Sequence, residues 1–127
     1  MKVFVADNSA VVRERLVEML SELPGIESVG QAQGGFEATN AIMKLKPDVV
    51  ILDIRMPGGN GIDVLRNVKK GRSSPVVIML TSYPYPQYRK KCLAEGADYF
   101  FEKSSEFDRI TEVLEQLTQR FGTRRNY

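Results

Sequence analysis

Residues 49–61 read VVILDIRMPGGNG, in which four apolar residues lead directly into an acidic residue and then a glycine-rich loop. The run Val49–Leu52 is short, uninterrupted and rich in β-branched residues, which is typical of a strand covered on both faces of a parallel sheet. Asp53 follows at the carboxyl end of this run. The segment therefore predicts a buried central strand that ends on a carboxylate.

Other apolar runs of the same kind lie on both sides of this segment. The clear ones are Val3–Ala6, Val76–Leu80 and Tyr99–Phe101, and a weaker run, Ile26–Ala32, is predicted as an edge strand. Apolar residues at helical spacing separate the runs, in stripes that begin near residues 12, 38, 62, 87 and 110. Strands that alternate with helices in this way predict an α/β fold, a doubly wound parallel sheet with helices on both faces.

Composition narrows the functional classes. The chain has 127 residues, 43% of them apolar and 27% charged, which suits one globular domain. It contains no histidine and one cysteine, Cys92, which excludes histidine-based metal sites, histidine general bases and an internal disulfide framework. A net charge of +2 gives little attraction to nucleic acid, so direct DNA binding is not expected. No membrane span or signal peptide is readable, which predicts a cytoplasmic protein.

Polar residues follow each confident strand. Because the carboxyl ends of parallel strands meet at one edge of a sheet, we expect these residues to lie together: Asp7 and Asn8, Asp53, Thr81 and Ser82, Glu102 and Lys103. Carboxylate and amide oxygens suit Mg²⁺, and a lysine balances the charge of a phosphoryl group. The cluster predicts a site for a divalent metal and a phosphate, although strand ends are also polar simply because they meet solvent.

The segment 49–61 also resembles the phosphorylation-site signature of bacterial response-regulator receiver domains, with Asp53, then Met56 and Pro57, then Gly61 at that family's spacings. The resemblance extends from Val3 to about Phe121. It implies a flavodoxin-like sheet of five strands in the order 2-1-3-4-5 with five helices. It also implies a receiver domain over residues 1–121, followed by a short basic tail over residues 122–127.

The resemblance implies a role for each polar residue at the predicted edge. Asp53 takes the place of the phosphate acceptor, and the ligands of Mg²⁺ would be Asp7, Asn8, Asp53 and the backbone carbonyl of Arg55. Receivers usually carry an acid where this chain has Asn8, so we expect weaker Mg²⁺ binding. The alternative for Asn8 is that it caps the first helix, a position that Ser9 could also take.

Three further residues complete the implied machinery. Thr81 and Lys103 would contact the phosphoryl group, and Thr81 would act with Phe100, which takes the place of the aromatic switch residue. After Lys103 the family usually has a proline with a cis bond, whereas this chain has Ser104. A cis bond before a residue other than proline costs roughly 2.5 to 4 kcal/mol, so the loop is expected to hold Lys103 less rigidly.

Family likeness also implies partners. The phosphoryl donor would be a phosphohistidine on a histidine kinase or phosphotransfer protein, and output would pass to a downstream protein partner through phosphorylation-dependent contacts. The chain would catalyse only its own Mg²⁺-dependent phosphorylation and dephosphorylation, so it is not expected to be a conventional enzyme. The segment from Tyr83 to Lys91 holds three tyrosines and reads either as a docking patch or as a stiff turn before a solvated helix. A phosphorylation-dependent homodimer is left open.

Several alternatives stay open at this point. A pseudo-receiver would keep the fold as a constitutive binding module, with Asn8 and Ser104 as signs of lost chemistry. A flavodoxin-like cofactor binder would need a Ser, Thr and Gly-rich loop after the first strand, where this chain has Asp7. A metal-dependent phosphatase acting on small molecules lacks a readable general acid. Only residues 122–127 follow the last helix, so the chain is either a complete single-domain regulator, which the short tail favours, or a fragment.

Overall fold

The computed structural model describes residues 1–71 and 74–125, with side chains as far as Phe121. Strands and helices alternate along the chain in the order β1 Lys2–Ala6, α1 Ala10–Glu22, β2 Glu27–Ala32, α2 Gly35–Leu45, β3 Val49–Leu52, α3 Gly61–Val68, β4 Val76–Thr81, α4 Pro86–Ala94, β5 Tyr99–Glu102 and α5 Phe107–Arg125. All five predicted strands are present, including the weaker one at residues 26–32. The helix α5 continues into the range predicted as a tail, and residues 126 and 127 lie outside the described residues.

The sheet is parallel throughout and has the strand order β2-β1-β3-β4-β5, as predicted. In the centre, β3 is buried at every residue, which explains its uninterrupted apolar sequence. Register places Leu52, the last residue of β3, beside Ala6 of β1 and Met79 of β4. Asp7 and Asp53, which follow β1 and β3, are therefore level with each other, and β4 continues two residues further, to Thr81, at the same edge of the sheet.

Alternate residues of the strands pack on opposite faces of the sheet. Leu52 and Met79 face the layer that contains buried residues of α2, α3 and α4, whereas Ile51 and Leu80 face the layer that contains those of α1 and α5. Each fully buried leucine or isoleucine stabilises the fold by about 1.5–3 kcal/mol. The close packing of both layers keeps the strand ends in fixed positions, which a site built on those ends requires. Within the described residues, none of the helices has the length and apolar character needed to cross a membrane.

The first helix starts directly after the edge residues of β1. Ser9 is its N-cap, and the Ser9 hydroxyl accepts a hydrogen bond of 3.2 Å from the backbone N–H of Val12. Asn8 is exposed and precedes the cap. Of the two residues that the sequence offered as a cap, the structure uses Ser9, so capping does not account for Asn8.

We expect Ser9→Ala to lower the free energy of unfolding by about 1 kcal/mol, because it leaves a helix N–H without its cap. The matched change Asn8→Ala is expected to alter it by less than about 0.5 kcal/mol, as for an ordinary surface residue. Urea denaturation of both variants without Mg²⁺ measures the difference. An equal loss in the two variants would show that Asn8 shares the capping role.

Candidate functional site

One ammonium group joins two buried carboxylates at the carboxyl edge of the sheet. The Lys103 Nζ lies 2.8 Å from Asp7 Oδ2 and 3.3 Å from Asp53 Oδ2. Asp7 is 1% exposed and Asp53 is 4% exposed, so both carboxylates are largely removed from water. Buried charges persist when they are paired and hydrogen-bonded, and Lys103 is the shared partner of the pair.

Backbone hydrogen bonds between strands bring these three residues together. The N–H of Asp53 donates to the carbonyl of Ala6 at 2.9 Å, which extends the pairing of β1 and β3 by one residue. The N–H of Lys103 donates to the carbonyl of Thr81, also at 2.9 Å, and so continues the pairing of β4 and β5. Strand register, rather than a flexible loop, therefore sets the positions of both Asp53 and Lys103.

The second oxygen of each carboxylate is bound by a nearby backbone N–H. Asp7 Oδ1 accepts a hydrogen bond of 2.9 Å from Ser9, and Asp53 Oδ1 accepts one of 2.8 Å from Ile54. Each aspartate thus has one oxygen on the backbone and the other on Lys103. These contacts fix the orientation of both carboxylate planes.

The environment raises the pKa of the Asp53 carboxyl group. Burial is the main cause, and the negative charge of Asp7 adds to it, while Lys103 and the N–H of Ile54 act in the opposite direction. The net result is that the ionised Asp53 is less favourable in the folded protein than in water. Additional positive charge bound at this site would stabilise the ionised form of Asp53.

The loop after Asp53 folds back tightly against the acidic residue. The N–H of Gly61, at the start of α3, donates to the carbonyl of Ile54 at 2.6 Å. A Cβ atom at Gly61 would overlap the backbone carbonyl of Asp53, so only glycine allows this close approach. Gly58 and Gly59 have φ angles of +69° and +107°, which favour glycine as well. The glycines of the segment 49–61 therefore have a direct structural reason.

A cavity of about 270 Å³ opens beside Asp53. It is lined by Asn8, Ser9, Val12, Asp53, Arg55, Ser82, Tyr83 and Lys103. Of the seven residues to which the family resemblance assigned a role, four line this cavity: Asn8, Asp53, Arg55 and Lys103. Asp7 is joined to the cavity through its ion pair with Lys103. A slightly larger hollow, of about 320 Å³, lies among residues of α4, β5 and α5, but Phe100 is the only predicted site residue that lines it.

The two predicted switch residues are both buried. Thr81 is fully buried at the end of β4, and its hydroxyl accepts a hydrogen bond of 2.9 Å from the N–H of Tyr83. Phe100 is 4% exposed and packs in the layer of the α2, α3 and α4 residues. The guanidinium carbon of Arg89, in α4, lies 5.6 Å from the centre of the Phe100 ring. The same side chain donates a hydrogen bond of 3.3 Å to the backbone carbonyl of Phe100. β4 thus separates the strand of Phe100 from the strand that ends at Asp53, and Phe100 lies under an arginine of α4.

The oxygen groups around the cavity fit Mg²⁺. The described residues contain no group of three or more His, Cys, Asp or Glu side chains able to hold a metal, and the acidic pair supplies two. Mg²⁺ is commonly bound by one or two carboxylates and keeps several waters, so two carboxylates with neutral oxygen ligands suffice. Asn8 and Arg55 line the same cavity, and the Asn8 amide and the Arg55 backbone carbonyl are neutral oxygens of this kind.

Two contacts of the site were not expected from the sequence. The Arg13 side chain donates a hydrogen bond of 2.7 Å to the backbone carbonyl of Asp7 and so supports the acidic residue from α1. The Arg55 guanidinium lies 3.9 Å from the centre of the Tyr83 ring, on the cavity wall. Neither contact has a signal in the sequence, because each joins residues from separate elements through the direction of long side chains.

Comparison with known proteins agrees with the geometry. The sequence profile of the response regulator receiver domain matches residues 3–115. The response regulator domain of Thermotoga maritima CheB is 31% identical, with a TM-score of 0.80 and 94% of each chain covered. The receiver domain of a putative NarL from Mycobacterium tuberculosis is 30% identical, with a TM-score of 0.85 and 93% and 95% covered. The chain belongs to the family of response regulator receiver domains.

Curated relatives are longer proteins. A protein-glutamate methylesterase/protein-glutamine glutaminase of Alkalilimnicola ehrlichii is 36% identical over 97% of this chain but only 31% of its own length. The response regulator GacA of Pseudomonas aeruginosa is 28% identical over 91% of this chain and 54% of its own length. The match to the methylesterase assigns a receiver domain to this chain and no esterase activity. Receiver domains generally bind Mg²⁺ and interact with histidine kinases or phosphotransfer proteins.

We expect Asp53→Asn to raise the melting temperature at pH 7 in the absence of Mg²⁺. Each kcal/mol that the substitution adds to the free energy of unfolding should raise the melting temperature by roughly 3–6 °C. The folded protein holds a proton at Asp53 more tightly than the unfolded chain, so the ionised carboxylate lowers stability at neutral pH. The advantage of the variant should shrink as the pH falls toward 3.8, the usual pKa of the group. Thermal denaturation tests this, with the exposed Asp63→Asn as the control. A lower melting temperature in Asp53→Asn would contradict it.

A second expectation concerns the close approach at Gly61. Gly61→Ala should reduce the free energy of unfolding by about 1–3 kcal/mol, the usual cost of forcing an extra methyl group into a packed position. Gly71→Ala is the control, because a Cβ there meets no atom within 4 Å, and its effect should stay within about 0.5 kcal/mol. Urea denaturation compares the two, and equal stabilities would show that the loop accommodates a side chain.

Proposed function

We propose that this chain is a phosphorylation switch in which Asp53 accepts a phosphoryl group from a phosphohistidine and signals through protein contacts. The contact of Lys103 with both Asp7 and Asp53 carries the proposal, because it places a cation where a phosphoryl group bound to Asp53 would add negative charge. An aspartyl phosphate adds about −1.5 to −2 units of charge, which a nearby lysine stabilises. One similar structure is a CheX–CheY complex with beryllofluoride and Mg²⁺ from Borrelia burgdorferi, 28% identical with a TM-score of 0.81.

In the transfer step, a carboxylate oxygen of Asp53 attacks phosphorus in line with the bond to the donor. The new oxygen–phosphorus bond forms as the nitrogen–phosphorus bond breaks. The electron pair of the nitrogen–phosphorus bond stays on the imidazole nitrogen, which is the leaving group. The departing histidine is a neutral imidazole when its other ring nitrogen carries a proton. This chain has no histidine, so the donor is a residue of a histidine kinase or phosphotransfer protein.

Charge balance governs the step, because an anionic nucleophile approaches an anionic phosphoryl group. Lys103 lies within reach of Asp53 and offsets part of that repulsion. Asp7, Asp53, Asn8 and the backbone carbonyl of Arg55 would hold Mg²⁺, which when bound would supply further positive charge beside the phosphoryl oxygens. Asn8 contributes no negative charge, so Mg²⁺ should bind less tightly than with an acid at this position.

The switch would act through Thr81. Its hydroxyl oxygen accepts a hydrogen bond from Tyr83, which leaves the hydroxyl proton available for a phosphoryl oxygen. Movement of Thr81 toward that oxygen would open space within the sheet layer for Phe100 to rotate. Because packed cores have discrete arrangements, a shift of this kind can change an outer surface as a two-state event.

Output would occur by contact with a downstream protein, as in a single-domain regulator. Tyr83, Tyr85 and Tyr88 support this, since neighbouring rings are 6.3 Å and 5.7 Å apart and Tyr85 is 47% exposed. Tyrosines are enriched at protein interfaces, where they bury large areas at low entropic cost. The competing function is a pseudo-receiver that binds its partner constitutively, and the specific observation in its favour is Asn8.

We expect a phosphate-sized mass gain after incubation with acetyl phosphate and Mg²⁺, measured on the intact protein. The gain should disappear in Asp53→Ala and persist in Asp63→Ala, which removes an exposed aspartate of α3. In Asn8→Asp, half-maximal phosphorylation should occur at a Mg²⁺ concentration several-fold lower, because the site gains a negative charge. No mass gain in the native chain or in Asn8→Asp would favour the pseudo-receiver.

A further inference from the structure

The side chain of Arg55 belongs to the cavity but contacts no acidic group. It is exposed and lines the same cavity as Asp53 and Lys103. Within the part of the chain that the structure describes, none of the ion pairs includes Arg55. Its guanidinium instead lies over the face of Tyr83, 3.9 Å from the ring centre. Arg55 is therefore a cation at the cavity that does not neutralise the acidic pair.

Arg55 is held in this position by aromatic residues of the β4–α4 segment. The tyrosine cluster consists of Tyr83, Tyr85 and Tyr88, whose neighbouring rings are 6.3 Å and 5.7 Å apart. The guanidinium contacts the Tyr83 ring, and the neighbouring Tyr88 is the main influence that raises the pKa of Arg55. The same side chain thus lies between the cavity and an exposed aromatic surface.

The attraction of a cation to a tyrosine ring is weak at an exposed position. A guanidinium forms stronger, charge-assisted hydrogen bonds with phosphate, and its planar fork matches two phosphate oxygens at once. Lys103 already shares its single ammonium between two carboxylates. A phosphoryl group on Asp53 would bring more negative charge into the cavity than Lys103 alone balances.

We propose that the Arg55 side chain is a second phosphoryl-binding cation, which leaves the Tyr83 ring and donates hydrogen bonds to the phosphoryl group on Asp53. This inference rests on the proposed function, since it requires phosphorylation of Asp53. It assigns the guanidinium a role separate from that of the Arg55 backbone carbonyl, which remains in any side-chain variant. As a consequence, Tyr83 and Tyr88 lose their cationic partner when the site is loaded, and the tyrosine cluster responds to phosphorylation independently of Phe100.

Beryllofluoride with Mg²⁺ is the probe, and binding is followed by NMR of backbone amides and of the arginine Nε–Hε groups. Arg55→Met keeps the length of the side chain and should weaken beryllofluoride binding by about threefold to tenfold, between the values for exposed and buried charge-assisted contacts. Arg66→Met is the matched control, because Arg66 is a partly exposed arginine on α3 whose partners are Asp63 and Glu95. Its effect should stay below about twofold, from long-range charge alone.

Two further readouts separate phosphoryl binding from a general charge effect. In the native protein, the Arg55 Nε–Hε signal should move away from its ring-shifted position as beryllofluoride binds. Tyr83→Leu removes the competing ring and should strengthen beryllofluoride binding by about twofold to fivefold. Equal binding by Arg55→Met and Arg66→Met, with a clear response of the native chain, would overturn the role of Arg55 and leave the switch intact. No response of the native chain to beryllofluoride would overturn both.

Discussion

The ion pair network of Lys103 with Asp7 and Asp53 is the interaction on which the site depends. Two carboxylates, each less than 5% exposed, lie close enough to share one ammonium. Two negative charges with one positive charge leave the site with a net negative charge, which would favour the binding of a metal cation. In the proposed function, metal binding and phosphorylation of Asp53 would both change this charge balance.

Packing and hydrogen bonds of the sheet hold these charged residues in place. Both faces of the sheet are covered by packed layers, and hydrogen bonds between strands continue one residue past Ala6 and Thr81 to reach Asp53 and Lys103. Gly61 lets α3 start against the Asp53 carbonyl, which positions the loop that borders the cavity. Apolar burial is thus used to stabilise an arrangement that is electrostatically unfavourable on its own, as is common at functional sites.

The site consists of buried acidic residues and of exposed residues on the cavity wall. Asp7 and Asp53 are buried and bound by backbone N–H groups, whereas Asn8 and Arg55 are exposed on the cavity wall. In the proposed function, substitutions at these two exposed residues would alter metal affinity and phosphoryl contacts without disturbing the sheet. Asn8 shows this separation, since it departs from the usual acidic residue while Ser9 keeps the cap of α1 intact.

The sequence by itself determined the alternation of strands and helices and identified the residues at the strand ends, because the burial of runs such as Val49–Leu52 is encoded locally in apolar patterning. The resemblance of residues 49–61 to receiver domains added the strand order and singled out Asp53. Tertiary structure alone decided that Ser9 caps α1, that Thr81 accepts from Tyr83, and that Arg55 stacks on Tyr83. Such contacts depend on side-chain rotamers and on the approach of distant elements, which no local pattern specifies.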